Sequence, residues 1–258
     1  MNRSEKRVVV SADATQLALT VAQRFLNVIG STIASGETAH VALTGGTTGT
    51  RVLEAIGMHP DRLTIDWSRV HFWWGDERFV AWDSTERNEQ AARAAFLRHI
   101  DVPGSHVHAI AASDEGVTLE QAADAYAVEL ARFGGEAQAW PSFDVCFLGV
   151  GPDGHVASLF PDRGEIQVRD RSTVPVRNSP KPPPERVSLT RPVINAAQRV
   201  WMVVGGADKA SALGLALAGA SYETVPAAGA KGQLDTVFFI DRAAARDVPA
   251  DLIEQDED

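Results

Sequence analysis

Residues 143–161 read FDVCFLGVGPDGHVASLFP, and this stretch decides the fold class and the kind of site that the chain can carry. It opens with an apolar strand, Val145–Leu148, and runs into a glycine-rich turn that presents Asp153 and His155. Glycine lets the backbone approach a ligand closely. An imidazole at the end of a buried strand suits proton transfer near neutral pH. The stretch therefore predicts a catalytic loop at the end of a core strand.

The glycines of this turn also match the dinucleotide-binding pattern G-x-G-x-x-G, at Gly149, Gly151 and Gly154. Three features argue against a nicotinamide or flavin site. Pro152 and Asp153 occupy the turn where that pattern needs permissive backbone, and Pro161 follows too soon for a long helix carrying the pyrophosphate. The match also lies in the middle of the chain, whereas the pattern usually opens its domain.

Composition indicates an ordinary soluble globular protein, with 258 residues, 45% hydrophobic and 22% charged. The net charge of −10 disfavours nucleic acid and anionic membranes as partners. A small anionic substrate would then need a local cluster of basic groups. No apolar leader or membrane-length run is seen, so we expect a cytoplasmic protein. The sequence does not determine its oligomeric state. The single cysteine, Cys146, is predicted to be an inert buried thiol.

Apolar strands alternate with amphipathic helices along the chain. Strands are predicted around residues 8–10, 41–43, 70–74, 145–148, 187–189, 200–204 and 236–240, and helices around 17–33, 52–56, 88–100, 119–133 and 213–217. This alternation predicts an α/β fold, a single-domain, doubly wound and mostly parallel sheet with helices on both faces. We place the domain at residues 1–250 and an acidic tail at 251–258. Residues 179–184, SPKPPP, are interpreted as a stiff loop.

Four chemically rich segments stand directly after predicted strands, at residues 44–50, 75–78, 149–155 and 205–209. In parallel sheets, ligands bind beyond the carboxyl ends of the strands. We therefore expect these segments to meet in one active site.

Basic residues and glycines in these segments predict an anion site. Gly45, Gly46 and Thr47 precede a helix, where free backbone N–H groups bind anions; the alternative is an ordinary turn. Arg51 in the first helical turn could add a contact. Arg78 is expected to bind a phosphate, oriented by Asp76 and Glu77, unless these charges form only a solvated turn.

Other candidates are ambiguous on their own. Lys209 and Arg186 are each either a phosphate ligand or an exposed side chain. His106 and His108 lie in a Pro-Gly loop and are expected to be exposed. The chain has no paired cysteines or His-Glu-x-x-His motif, so no metal site is predicted.

Together these segments resemble the 6-phosphogluconolactonase family over almost the whole chain. The most specific part is residues 149–161; supporting segments are residues 44–47, 74–78, 84 with 88, 179–190 and 205–210. Related deaminases typically continue from the histidine into Ala-Phe-Asn-Glu-Pro and carry Asp-Glu-Tyr at the earlier motif. This chain has ASLFP at 157–161 and Asp-Glu-Arg at 76–78, which favours the lactonase.

The resemblance implies a sugar-phosphate isomerase/deaminase-like fold, no required cofactor, and hydrolysis of 6-phospho-D-glucono-1,5-lactone to 6-phosphogluconate. It implies that His155 is the general base and Asp153 its acidic neighbour. Phosphate-side positions are Gly45, Gly46, Arg78, Arg51 and, from the wider superfamily, Lys209. The oxyanion would be held by N–H groups of the glycine turns.

Two departures from the family pattern are mild. Val156 stands where many members have Thr, and Thr47-Thr48-Gly49 replaces a frequent Ser-Thr-Pro. Neither removes an ionisable group. An amino-sugar-phosphate deaminase and a non-catalytic sugar-phosphate-binding protein remain the alternatives.

Overall fold

The computed structural model describes residues 6–136, 138–249 and 252–253. Its strands are β1 (Lys6–Ser11), β2 (Ala39–Leu43), β3 (Val70–Trp74), β4 (Asp76–Arg78), β5 (Val145–Gly149), β6 (Thr173–Val176), β7 (Arg186–Leu189), β8 (Arg199–Val204) and β9 (Asp235–Asp241). Its helices are α1 (Ala14–Ala34), α2 (Gly46–Met58), α3 (Asn88–Ala95), α4 (Leu119–Ala131), α5 (Arg191–Asn195), α6 (Ala210–Leu217) and α7 (Pro226–Gly229).

The main sheet confirms the predicted architecture. Within the described residues it has six strands in the order β1-β9-β8-β5-β2-β3, and every neighbouring pair is parallel. All five residues of β3 and six of the seven in β9 are buried. Because successive side chains of a strand point to opposite faces, both faces of this sheet are covered.

Helix α1 shows how the sequence pattern becomes packing. Leu17, Val21, Phe25 and Ile29 recur at spacing four, and each is completely buried. Among helices in the described part of the chain, α1 alone is long and apolar enough to cross a membrane. Its buried face packs on α2 and β9, so in this fold α1 serves as a core helix.

The predicted helix over 88–100 ends early. The backbone leaves helical geometry at Phe96 (φ −137°, ψ −58°), and a short 3₁₀ turn follows at Leu97–His99. This break places the fully buried Phe96 ring 5.5 Å from that of Phe72 and 6.5 Å from that of Phe25. Burial of the ring outweighs continuation of a short helix.

A second sheet was not predicted. Strands β4, β7 and β6 form a three-stranded antiparallel sheet, so the strand predicted at 187–189 lies outside the main sheet, and residues 76–78 are a strand rather than a loop. Gly75 joins the two sheets. Its N–H donates to the carbonyl of Leu43 at 2.9 Å, and its carbonyl accepts from the N–H of Leu189 at 2.8 Å.

Two smaller expectations also have outcomes. Cys146 is completely buried in β5, and burial raises the pKa of its thiol to about 12, as expected for an inert thiol. The acidic tail at 251–258 lies outside the described residues, apart from Leu252 and Ile253. The boundary between domain and tail therefore stays a prediction.

Candidate active site

A cavity of about 500 Å³ opens at the carboxyl ends of β2, β5 and β8. Residues from all four predicted segments line it, so the expected convergence occurs. The predicted site residues on its wall are Gly45, Gly46, Thr47, Arg78, His155, Arg186 and Lys209. Others on the wall that we had not assigned include Thr44, Asn88, Lys181 and Asp208.

His155 and Asp153 form a close pair at this cavity. The Nδ1 atom of His155 lies 2.5 Å from Oδ1 of Asp153, and the imidazole is 13% exposed. Partial burial would raise the pKa of Asp153, but the hydrogen bond and charge of His155 outweigh it and lower this pKa to about 2. An ionised carboxylate only accepts hydrogen bonds, so Nδ1 carries the proton and donates. In the neutral ring, Nε2 is then the basic nitrogen.

The glycine turn fits closely around this pair. A Cβ on Gly151 would lie 2.1 Å from Nδ1 of His155 and 2.5 Å from Oδ1 of Asp153, which no side chain tolerates. Gly154 has φ +82°, in the left-handed region that favours glycine. The Gly154 N–H donates to the Gly151 carbonyl at 2.9 Å, which closes the turn. The Phe160 ring packs 4.6 Å from the imidazole and limits its rotation.

The first turn of α2 forms the wall beside this loop. Thr44 ties the two loops together, because its hydroxyl oxygen accepts from the N–H of Gly149 at 3.2 Å. A Cβ on Gly45 would lie 1.8 Å from Oδ1 of Asn88, so this position also requires glycine. The Asn88 amide is fixed in turn, since its Nδ2 donates to the carbonyl of Asp76 at 2.9 Å.

The carboxylates near Arg78 have the predicted role only in part. Glu77 is 1% exposed and accepts from the N–H groups of Asn88 and Glu89 at 2.7 and 2.8 Å, so it caps α3. Asp76 accepts from the Ser158 hydroxyl at 2.7 Å. The Arg78 guanidinium instead donates to the carbonyl of Glu86 at 2.6 Å. Glu77 also accepts from the backbone N–H of Arg78 at 2.7 Å, so the expected orienting role holds for Glu77 at the main chain. It does not hold for Asp76, which supports the loop of His155 through Ser158.

Basic side chains make one region of the cavity positive. Arg78, Lys181 and Lys209 all line it. Lys209 is bonded to the neighbouring Asp208. Burial is the main cause of a lowered pKa at Lys181, and the charges of Lys209 and Arg186 lower it further.

Arg51 lies outside the main cavity. It is exposed and lines an adjoining cavity of about 400 Å³, which shares Gly46, Thr47, Arg78 and Asn88 with the first. Arg78 thus stands between the two, while Arg51 faces only the outer one.

The predicted oxyanion donors need revision. The N–H groups of Gly149, Gly151 and Gly154 donate to Thr44, His155 and Gly151 respectively. The first N–H groups of a helix have no intrahelical acceptor. Gly46, Thr47 and Thr48 begin α2 and line the cavity, so their N–H groups suit the phosphate predicted at residues 45–47.

Sequence reasoning missed Lys181 and misjudged His108. Lys181 lies in the stretch interpreted as a stiff loop. The feature that could have identified it is a basic residue between prolines just before a predicted strand. His108, expected to be exposed, is 6% exposed. Its ring stacks on Trp73 at 3.8 Å and donates to Glu129, and it does not line the cavity. Among described residues, no group of three or more His, Cys, Asp or Glu side chains is arranged to hold a metal ion.

Comparisons with known proteins agree with this geometry. The sequence profile of the family described as glucosamine-6-phosphate isomerases/6-phosphogluconolactonase matches residues 12–238. A 6-phosphogluconolactonase of Streptomyces coelicolor is 46% identical over 95% of this chain and 96% of its own length. One of Mycobacterium leprae is 43% identical over 94% and 98%. The solved 6-phosphogluconolactonase of Trypanosoma cruzi superposes with a TM-score of 0.83 at 26% identity, covering 95% of this chain and 98% of that one. The chain belongs to the glucosamine-6-phosphate isomerase/6-phosphogluconolactonase family.

Proposed function

We propose that this chain hydrolyses 6-phospho-D-glucono-1,5-lactone to 6-phosphogluconate, with His155 as general base. One observation carries the proposal. His155 lines the same cavity as Arg78, Lys181 and Lys209, and Asp153 holds its imidazole from behind the cavity wall. A proton acceptor and a positive anchor then face one substrate, which is what a phosphorylated lactone requires. The relatives named above carry the name of this activity.

The substrate is anchored at its phosphate. Arg78, Lys181 and Lys209 supply positive charge, and the N–H groups that begin α2 supply further donors. Their combined field overcomes the repulsion expected from a net charge of −10. Anchoring the phosphate places the lactone carbonyl against His155.

The reaction then needs one proton carrier. Nε2 of His155 takes a proton from water as the water oxygen bonds to C1, and the carbonyl oxygen becomes an oxyanion. When the oxyanion collapses, the bond between C1 and the ring oxygen breaks, and Nε2 returns its proton to that oxygen. The new carboxylic acid ionises to 6-phosphogluconate. Asp153 keeps Nδ1 protonated throughout and stabilises the imidazolium.

The test is hydrolysis of freshly generated 6-phosphogluconolactone, coupled to 6-phosphogluconate dehydrogenase. We expect clear acceleration over the spontaneous reaction. Ammonia release from glucosamine-6-phosphate, without lactone hydrolysis, would reject the lactonase in favour of the deaminase. Binding of 6-phosphogluconate with neither reaction would indicate a non-catalytic binding protein.

The proposal includes a cytoplasmic location, no cofactor and no nucleic-acid or membrane partner. The acidic net charge supports the exclusion of polyanions. A single cysteine, buried and without a disulfide, supports a reducing compartment. Each step above uses only protein groups and water.

A further inference from the structure

The guanidinium of Arg186 lines the cavity, yet most of its donors are turned away from a ligand. Its side chain is 4% exposed. Nε donates to the carbonyl of Pro183 at 3.1 Å, and one terminal nitrogen donates to those of Lys181 and Pro182 at 2.9 and 3.2 Å. The other terminal nitrogen lies 3.5 Å from Ser158 Oγ and 3.8 Å from Asp76 Oδ2. Three successive carbonyls thus converge on one side chain.

These bonds add to the backbone bond that closes the loop, in which the Ser179 N–H donates to the Pro184 carbonyl at 2.9 Å. Prolines have no N–H group, so residues 180 and 182–184 offer only carbonyls for fixing the backbone. Ser179 helps, because its hydroxyl donates to the Lys181 carbonyl at 2.8 Å and accepts from the Lys181 N–H at 3.3 Å. Lys181 is therefore the residue whose backbone both Ser179 and Arg186 hold, and its side chain lines the cavity.

We propose that Arg186 is a positioning residue that acts through Lys181. Its planar fork gathers the carbonyls of residues 181–183 and so directs the Lys181 ammonium at the anionic group of the ligand. In this proposal Arg186 acts through the loop and does not bind the phosphate itself, which was one of the two roles that the sequence left open. This inference rests on the proposed function only for the identity of that anion.

Charge and shape make different demands at this position. A lysine would keep the positive charge near Asp76, but one ammonium group cannot bond three carbonyls in the plane of a guanidinium. If Arg186 bound phosphate as a charge, Arg186→Lys would retain most of the affinity. If Arg186 acts by holding the loop, Arg186→Lys loses affinity although the charge remains.

The test is a double-mutant cycle on the equilibrium affinity for 6-phosphogluconate, measured by calorimetry. We expect Lys181→Met to raise Kd about tenfold or more, the worth of a charge-assisted hydrogen bond. Arg186→Lys should raise Kd severalfold by itself, but add almost nothing in the Lys181→Met background. Arg177→Met is the matched control, because Arg177 is exposed, pairs with Glu120 and Glu185, and lies off the cavity wall.

Several results would overturn the inference. Multiplicative effects in the double variant would show that Arg186 contacts the anion independently. An unchanged Kd in either single variant, or no binding of 6-phosphogluconate by the wild type, would also refute it. If Arg186→Lys lowers the melting temperature severely, Ser179→Ala replaces it, since this change loosens Lys181 without touching a buried charge.

Activity is assayed separately, so that the two proposals fail independently. A wild type that binds 6-phosphogluconate without hydrolysing the lactone would reject the proposed function and leave the cycle interpretable. A wild type that hydrolyses the lactone but gives a multiplicative cycle would reject only the role of Arg186.

Discussion

At the carboxyl end of β5 a single imidazole, His155, is bonded to a carboxylate and lines a cavity, whereas near the amino ends of β2 and β3 four imidazoles pack on one another. His40 and His71 are paired in register there, with ring centroids 4.9 Å apart. His106 stacks on His71 at 3.9 Å, and Nε2 of His108 lies 2.8 Å from Nδ1 of His71. We call these four residues the histidine stack.

Proton positions follow from the partners in the histidine stack. The carboxylate of Glu129 accepts from Nδ1 of His108 at 2.8 Å, so Nε2 of His108 is free to accept from Nδ1 of His71. Burial, with the nearby imidazoles, lowers the pKa of His71 to about 3 and that of His40 to about 4. The rings of His71 and His40 are therefore neutral packing groups. The comparison teaches that the partner and the solvent access of a histidine decide its role.

Replacing His155 should lower activity and leave stability almost unchanged. We expect His155→Ala to lower kcat by about 10²–10⁴-fold, the usual contribution of a general acid–base group, with little change in stability. The coupled lactonase assay and a thermal melt measure the two effects. A variant with full activity would remove His155 from the mechanism.

Replacing His108 should lower stability and leave the activity of the folded protein unchanged. His108→Ala removes a buried ring that stacks on Trp73 at 3.8 Å, together with its hydrogen bonds to Glu129 and to Nδ1 of His71. We expect a loss of about 3 kcal/mol in the free energy of unfolding, by cavity formation and lost hydrogen bonds. Denaturant titration measures this loss. The kcat of the folded fraction should be unchanged, and a specific fall in kcat would contradict the separation of roles.

Asp153 sharpens the comparison because its partner His155 lines the cavity, whereas Glu129 holds His108, which does not line it. Asp153→Asn replaces an ionised acceptor by a neutral one at the Nδ1–H of His155. We expect kcat to fall about tenfold, corresponding to a weakened charge-assisted hydrogen bond. Steady-state kinetics measure the change. An unchanged kcat would show that the reaction does not need Asp153 to hold the ring.

Falling pH should destabilise the histidine stack and the Asp153–His155 pair in different pH ranges. The pKa values of His71 and His40, about 3 and 4, lie below the ordinary value of 6.5, so the unfolded chain binds protons first as the pH falls. The contribution of these two rings to stability should therefore drop from about pH 6.5 down to those folded values, while buried Glu77, with a pKa raised to about 7, acts in the opposite direction. The pKa of Asp153 is about 2, below the ordinary value of 3.8. The stability that its ionised form contributes is therefore lost only as the pH falls below 3.8.

The acid prediction is checked by denaturant titrations at pH 7.5, 6 and 5. The His71→Gln variant should show a shallower dependence of unfolding free energy on pH over this range. An identical slope in the variant and the wild type would show that the stack is not the source.

Much of the fold followed from local pattern. Strands buried on both faces, such as β3 and β9, show as continuous apolar runs, and α1 shows as spacing-four apolar residues. The small sheet could not be found this way. Strand β4 consists of three charged residues, and its pairing of Asp76 with Ser188 spans more than a hundred residues of chain. Only the three-dimensional partner makes it a strand.

Some residues of the site could likewise be predicted from local pattern, and others could not. Glycine turns and charged residues directly after strands predicted which segments meet, because parallel topology brings strand ends together. Lys181 and His108 depended instead on single side-chain partners, Arg186 and Glu129 respectively. A loop held by a side chain, or a ring buried by one, leaves no periodic trace in the sequence.

The buried cysteine of β5 has a practical consequence for spectroscopy. With a pKa of about 12 and no solvent exposure, Cys146 has almost no thiolate at neutral pH and stays unreactive towards maleimides. A thiol introduced at the cavity rim, for example by Asp208→Cys, would then be the single reactive one, since the chain has one natural cysteine. The wild-type chain is thus a ready background for attaching one fluorophore or spin label beside the bound ligand.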